Sequence, residues 1–120
     1  MKSFVKSFKY ALHGLRYAFA HERNFRLEIY CAFAVCIGAL VFNISKLEWF
    51  IVIINIAAVL AVELINTAIE NICNMIHQST QPTIKIIKDI SAAAVVITAL
   101  CAFVCGCIIF VPYIINILKS

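Results

Sequence analysis

The sequence predicts an all-α integral membrane protein, and three observations support this prediction. Of its 120 residues, 64% are hydrophobic and only 13% are charged, whereas soluble domains average about 45–50% and about 25%. The mean hydropathy is +1.01. Three apolar runs alternate with short polar segments, and at about 20 residues per span the chain has room for three or four transmembrane helices. We therefore expect a single membrane-embedded domain over residues 1–120.

The first predicted element is an amphipathic surface helix over residues 1–26. Its apolar residues recur every three or four positions, and its basic residues recur on another face of the same helix. The apolar positions are Phe4, Phe8, Leu12, Leu15 and Phe19, and the basic face carries Lys2, Lys6, Lys9, His13 and Arg16. A basic amphipathic helix of this kind lies in the plane of the membrane interface.

Three transmembrane helices are predicted to follow, over residues 27–44, 48–76 and 88–118. The first two are separated by a short polar turn at residues 43–46. A loop is predicted over residues 77–87, because polar residues and a proline are concentrated there. The last span is free of charge over roughly 29 residues, which is enough to cross the bilayer with some surplus.

The positive charges predict the orientation of these spans. Lys and Arg cluster in residues 1–26 and recur at Lys85 and Lys88, whereas the turn between the first two spans holds only Lys46 and the last span is followed only by Lys119. Basic residues accumulate on the cytoplasmic side of the inner or plasma membrane. We therefore place the N-terminus and the 77–87 loop in the cytoplasm. The same distribution argues against nucleic-acid binding, because the basic residues flank apolar runs.

The second span carries a stripe of polar residues. At 100° per residue, one face of this helix collects Glu63, Asn66, Thr67, Glu70 and Asn74. Carboxylates at membrane depth are expensive and mark functional sites by default. Counted from Trp49 at 1.5 Å per residue, Glu63 lies about 21 Å along the helix and Glu70 about 31 Å along it. Glu70 therefore reaches the cytoplasmic interface, and Glu63 lies deeper in the membrane.

Further charged residues are predicted to lie at the same membrane level. Glu22 and Glu28 flank the start of the first span, and Lys88-Asp89 opens the third. Taken alone, the glutamates could form a solvated ion-pair face, Lys88 could be a topology anchor, and Asp89 could interact with the helix dipole. Taken together, these residues suit a site that binds a divalent cation, a polyphosphate and a lipid hydroxyl at once. Carboxylates without nearby His or Cys favour Mg²⁺ or Mn²⁺ over zinc.

The residues at this level resemble a known family. Glu63-Leu64-Ile65-Asn66-Thr67-Ala68-Ile69-Glu70, the following Lys88-Asp89 and the preceding Glu22-Arg23-Asn24-Phe25-Arg26 are similar to the small prokaryotic diacylglycerol kinases. That family includes the undecaprenol kinases of Gram-positive bacteria. The stretch His21 to Arg26 and the ending Phe110-Val111-Pro112 more closely resemble the undecaprenol kinase branch.

The resemblance implies a homotrimer that phosphorylates a lipid alcohol with ATP and Mg²⁺, at active sites shared between neighbouring subunits. By position, Glu63 matches the general base and Asn66 the motif asparagine, while Glu28 matches a residue near the lipid. Glu22 and Glu70 match the metal ligands, and both also contact nucleotide. The remaining nucleotide-binding positions are Tyr10, Lys88 and Asp89. One departure is Asn74, where the family motif usually ends in aspartate.

The expected acceptor is undecaprenol, whose phosphate is the carrier lipid of cell-wall synthesis, and the alternative is diacylglycerol. A more distant alternative is a small proton-coupled transporter with one protonatable glutamate. Against it, the acidic residues gather at one interface rather than at the midplane. A purely structural membrane subunit would not need Glu63 and Glu70 on one stripe.

Overall fold

The computed structural model describes residues 2–76 and 81–120, and this part of the chain folds into four helices without any strand. The helices are α1 (Lys2–His21), α2 (Arg23–Phe42), α3 (Lys46–Ile76) and α4 (Pro82–Lys119). By length and composition, α2, α3 and α4 can each cross a membrane. The predicted all-α class with three candidate spans is confirmed.

A break at Glu22 separates the surface helix from the first span. The backbone of Glu22 is extended, with φ −111° and ψ 109°, so α1 ends within the range 1–26 that the sequence suggested for a single helix. The Arg26 guanidinium donates hydrogen bonds to the carbonyl oxygens of Phe19, at 2.7 Å, and of Ala20, at 3.1 Å. These carbonyls belong to the last turn of α1, where helical partners are lacking. Arg26 therefore fixes the corner at which Glu22 lies.

The turn between α2 and α3 is set by local hydrogen bonds. Asn43 adopts the left-handed conformation at φ 52°, and the N–H of Ile44 donates to the carbonyl of Ala39 at 3.2 Å, which is the Schellman pattern of a helix C-terminus. The Ser45 N–H then donates to Glu48 Oε1 at 2.9 Å, and the Glu48 N–H donates to Ser45 Oγ at 3.2 Å. This reciprocal pair is a capping box, and it starts α3 immediately after the turn.

Helix α3 is the central element, and it packs antiparallel to α4 more extensively than it packs against α2. Far from the predicted cytoplasmic side, the Tyr113 hydroxyl of α4 donates to Glu48 Oε1 of α3 at 2.6 Å. Beside this contact, a small apolar core forms from Ala39, Val52 and Ile109, together with Ile44. Helices α3 and α4 are therefore held together at this end by the Tyr113–Glu48 hydrogen bond and the apolar core. At their other ends they meet at the polar stripe.

Much of the apolar surface is not covered within one chain. Phe33 of α2 is 66% exposed, Phe103 of α4 is 70% exposed, and Phe4 and Phe8 of α1 are similarly open. An exposed apolar surface of this extent would be unfavourable in water. Lipid tails or further protein chains must therefore cover it.

Helix α4 begins at Pro82, earlier than the third span predicted from residue 88. Proline suits the first position of a helix, because its missing N–H would have no partner there. Residues 77–80 of the predicted loop, which include His77, lie outside the described residues.

Candidate functional site

The deeper part of the polar stripe of α3 is buried, whereas Asn74 at its end is exposed. Glu63 is 2% exposed, and Asn66 and Thr67 are also buried. Glu70, one turn beyond Asn66, is partly exposed. These residues repeat at three- and four-residue intervals, so one face of α3 carries them all. Because buried polar groups in a membrane helix are costly, this face marks the candidate site.

A chain of side-chain hydrogen bonds joins α4 to this stripe. The buried Ser91 hydroxyl donates to Asn66 Oδ1 at 2.6 Å. On its other side, Asn66 Nδ2 donates to Glu70 Oε1 at 3.3 Å. Ser91 was not among the site residues predicted from the sequence, where its only signal is a lone hydroxyl, one turn beyond Lys88, within an apolar run.

Lys88 reaches the same stripe, but Asp89 does not. The Lys88 ammonium donates to Asn74 Oδ1 at 2.7 Å, which links α4 to the last turns of α3. Asp89 forms an exposed ion pair at 2.7 Å with Lys85, one turn earlier on its own helix. Within one chain, the adjacent residues Lys88 and Asp89 therefore have different surroundings.

Glu22 and Glu28 bring two more carboxylates toward Glu63. Glu22 lies at the corner between α1 and α2, where its side chain makes no helix-capping hydrogen bond. Glu28 is partly buried in the second turn of α2. Electrostatic repulsion couples Glu63 to Glu28, and likewise to Glu22 and Glu70. Glu22, Glu28 and Glu70 are therefore all close enough to Glu63 for their charges to interact with it.

Unpartnered oxygens concentrate in this cluster. Among the described residues, the buried side-chain oxygens without a hydrogen-bond partner are Glu28 Oε2, Glu63 Oε2 and Thr67 Oγ1. A buried polar atom in an apolar setting costs free energy unless a partner satisfies it. These three oxygens are therefore available to a ligand that brings donors or positive charge.

An apolar cleft of about 400 Å³ runs from Glu28 into the membrane region. It lies between α2 and α4, with α3 as its floor, and its wall includes Val35, Val59, Ala102 and Gly106. The lining is almost entirely apolar. The cleft therefore offers an apolar chain a path that ends beside the carboxylate cluster.

The donor set fits Mg²⁺ in chemistry. Carboxylate oxygens are its preferred protein ligands, and one or two of them suffice when substrate phosphates complete the coordination. The described part of the chain contains no group of three or more His, Cys, Asp or Glu side chains arranged to hold a metal without other ligands. A cation bound at these carboxylates would therefore need further ligands from a second molecule, such as substrate phosphates.

Tyr10 lies apart from the cluster. It is 68% exposed on α1, in the N-terminal half of that helix. At the C-terminal end of α1, His21 contacts the carbonyl oxygen of Tyr17 at 3.0 Å and stacks on its ring, so its contacts are local to α1.

The fold and the site define a membrane-embedded helical protein whose carboxylates converge at one end of its spans. This chain belongs to the prokaryotic diacylglycerol kinase family, whose sequence pattern matches residues 9–110. It is 35% identical over 112 residues to the undecaprenol kinase of Bacillus subtilis (strain 168), covering 93% of this chain and 91% of that protein.

Two further relatives carry a different name. The chain is 32% identical over 113 residues to a diacylglycerol kinase of Synechocystis sp., covering 93% of this chain and 65% of that longer protein. It is 33% identical over 97 residues to the diacylglycerol kinase of Haemophilus influenzae, covering 81% of each chain. The resemblance stated from the motifs is therefore confirmed at the level of the family.

Proposed function

We propose that this protein is a lipid kinase that transfers the γ-phosphoryl group of ATP to the hydroxyl of undecaprenol, with residues 1–120 acting as one membrane-embedded kinase domain. Family membership supports the kinase chemistry, and the undecaprenol kinase among the relatives supports this acceptor. The observation that carries the proposal is the buried Glu63, whose Oε2 has no partner in the described chain. Its charge interacts with that of Glu28, which lines the end of the apolar cleft.

Glu63 is the proposed general base. The acceptor's hydroxyl oxygen attacks the γ-phosphorus, its proton passes to the Glu63 carboxylate, and the bond to the β-phosphate oxygen breaks to release ADP. A base placed within hydrogen-bond reach of the attacking hydroxyl lowers the barrier to transfer. Asn66 and Glu28 flank this position as residues that orient the acceptor.

The nucleotide end of the site lies nearer the cytoplasm. Glu22 and Glu70 would hold Mg²⁺, or Mn²⁺ in its place, which when bound neutralises and orients the ATP phosphates. Lys88 adds a positive charge to the same end. The family resemblance supplies Tyr10 and Asp89 as the remaining nucleotide contacts, in a homotrimer with shared sites. Both residues are exposed within one chain, which leaves them open to such a shared site.

The proposed placement puts the N-terminus and the active site on the cytoplasmic face of the inner or plasma membrane. The basic residues of α1 support this orientation, because positive charge accumulates on the cytoplasmic side. The acceptor would then enter from the bilayer, with its isoprenoid chain along the apolar cleft and its hydroxyl toward Glu63. ATP would enter from the cytosol at Glu70.

The test is phosphate transfer by the purified full-length protein in mixed micelles, with γ-labelled ATP, Mg²⁺ and either undecaprenol or diacylglycerol. We expect labelled undecaprenyl phosphate in excess over labelled phosphatidic acid. The reverse preference would make the protein a diacylglycerol kinase, the activity for which the Synechocystis and Haemophilus relatives are named. Transfer to neither lipid would overturn the proposal and favour the transporter alternative.

A further inference from the structure

In the described part of the chain, the hydroxyls of Tyr113 and Ser91 on α4 are hydrogen-bonded across to α3, and Tyr113 bonds to Glu48, far from the polar stripe. Of the two, only Ser91 bonds to the stripe itself. It is 8% exposed, and it donates at 2.6 Å to Asn66 Oδ1. Thr98, two turns further along α4, instead donates to the carbonyls of Ala94 and Val95 in its own helix. The contact of Ser91 is thus specific to the polar stripe.

This contact anchors the oxygen end of the Asn66 amide. An amide has an acceptor end and a donor end of nearly equal size, and its neighbours select between the two orientations. The Glu70 carboxylate only accepts hydrogen bonds, so the NH₂ group of the amide faces Glu70 Oε1 at 3.3 Å. The Ser91 hydroxyl then donates to the amide oxygen and holds the amide in place. In the opposite orientation, two acceptors, Asn66 Oδ1 and the Glu70 carboxylate, would face each other.

We propose that Ser91 is a positioning residue for the metal–nucleotide end of the site. Through Asn66, its hydroxyl holds one oxygen of the Glu70 carboxylate and leaves the other oxygen directed to the cation and the phosphates. This inference rests on the proposed function of Glu70 as a ligand. It adds a residue of α4 that no sequence motif selected.

The experiment compares Ser91→Ala with wild-type full-length protein in detergent. Mn²⁺ binding in the presence of a non-hydrolysable ATP analogue is followed by electron paramagnetic resonance, which needs no turnover. Loss of a residue that orients a ligand weakens metal affinity by about 10- to 100-fold, and we expect a loss of about 10-fold. The Mg²⁺ concentration for half-maximal activity should rise in parallel, with a smaller change in turnover at saturating Mg²⁺.

Thr98→Ala is the matched control, because it removes a hydroxyl from the same helix without removing a bond to α3. It should leave Mn²⁺ affinity unchanged. In a Glu70→Gln background, Ser91→Ala should produce no further loss, because the carboxylate that it orients is gone. An equal loss in that background would mean that Ser91 acts elsewhere, and would overturn the inference.

Ser91→Cys covers the case in which the alanine variant does not fold. A thiol keeps the approximate size of the side chain but donates only weakly, so an intermediate loss of Mn²⁺ affinity is expected. A folded Cys or Ala variant that binds Mn²⁺ as tightly as wild type would overturn the role of Ser91. Failure of the wild-type protein to phosphorylate any lipid would instead overturn the proposed function, so the two failures are distinguishable.

Discussion

Lys88 of α4 donates a 2.7 Å hydrogen bond to the side-chain oxygen of Asn74 on α3. The acceptor is a neutral amide, so this contact positions the ammonium group without offsetting its charge. In an aspartate, which the family motif usually carries at this position, the same oxygen would form an ion pair. Asn74 in place of aspartate therefore keeps the hydrogen bond to Lys88 and removes only the negative charge opposite the ammonium group.

Asn74→Ala removes the acceptor that holds Lys88, and we expect the KM for ATP to rise by about 3- to 10-fold, the equivalent of one hydrogen bond. Turnover at saturating ATP should change less. Asn74→Asp keeps the acceptor and should stay close to wild type in the same steady-state assay. A large gain in activity with Asp would show that the natural Asn74 impairs the enzyme, and an unchanged KM with Ala would contradict the positioning of Lys88.

Glu63→Gln keeps the size of the side chain but cannot accept the hydroxyl proton. Turnover should fall by about 100-fold or more, the usual contribution of a general base. Mn²⁺–nucleotide binding should remain, because Glu63 is not an assigned ligand. Glu48→Gln makes the same change at the opposite end of α3 and should retain activity. A Glu63→Gln variant with a near wild-type rate would contradict the base assignment.

Glu70→Gln should affect the metal rather than the chemical step. Removing one of two carboxylate ligands weakens Mg²⁺ binding, and the Mg²⁺ concentration for half-maximal activity should rise by about 10-fold or more. The measurement is a Mg²⁺ titration of activity at fixed ATP. If the titration curve matches that of wild type, Glu70 is not a ligand.

Gly106→Leu tests whether the acceptor's chain lies in the apolar cleft. A Cβ at Gly106 would have no heavy atom within 4 Å, so the backbone can accept the larger side chain, which would take up part of the about 400 Å³ cleft. The KM for undecaprenol should rise while the KM for ATP stays constant. Gly106→Ala is the control and should leave both constants unchanged. Equal KM values for the lipid in wild type and Leu variant would place the acceptor elsewhere.

Tyr113→Phe removes the hydroxyl that donates to Glu48 Oε1 at 2.6 Å. This contact joins α3 and α4 at the end opposite the carboxylate cluster, so its loss should lower the thermal unfolding midpoint in detergent. Both the KM for ATP and the turnover number should remain those of wild type at lower temperature. A large loss of activity without a change in the midpoint would give Tyr113 a part in the site.

The sequence predicted the features that follow from periodicity within one helix. The three spans follow from hydropathy, and the stripe from Glu63 to Glu70 follows from 3.6 residues per turn. Its burial was predictable too, because lipid disfavours exposed carboxylates. These features depend on neighbours in sequence and not on how two helices are rotated relative to each other.

The contacts between helices could not be derived in this way. Ser91 and Lys88 reach the stripe because they lie on the face of α4 that packs against α3. Asp89 lies on another face and pairs with Lys85. A rotation of one residue about the α4 axis would turn the helix by about 100° and exchange these partners. The break at Glu22 was likewise missed, because hydrophobic periodicity continues across it and the Arg26 contacts that stabilise the corner span several residues.

The 20 residues of α2 correspond to a length of about 30 Å, which equals the hydrocarbon thickness of an ordinary bilayer without surplus. The longer α3 and α4 can tilt to adjust to a thinner membrane. Helix α2 has no such surplus length, and Glu22 lies at its N-terminal end with Glu28 in its second turn. Hydrophobic mismatch would therefore act first on these two carboxylates, by drawing them toward or away from Glu63. Membrane thickness should therefore change the rate of the proposed phosphate transfer. The acyl-chain length of the surrounding lipids should change this rate even where no lipid headgroup is recognised.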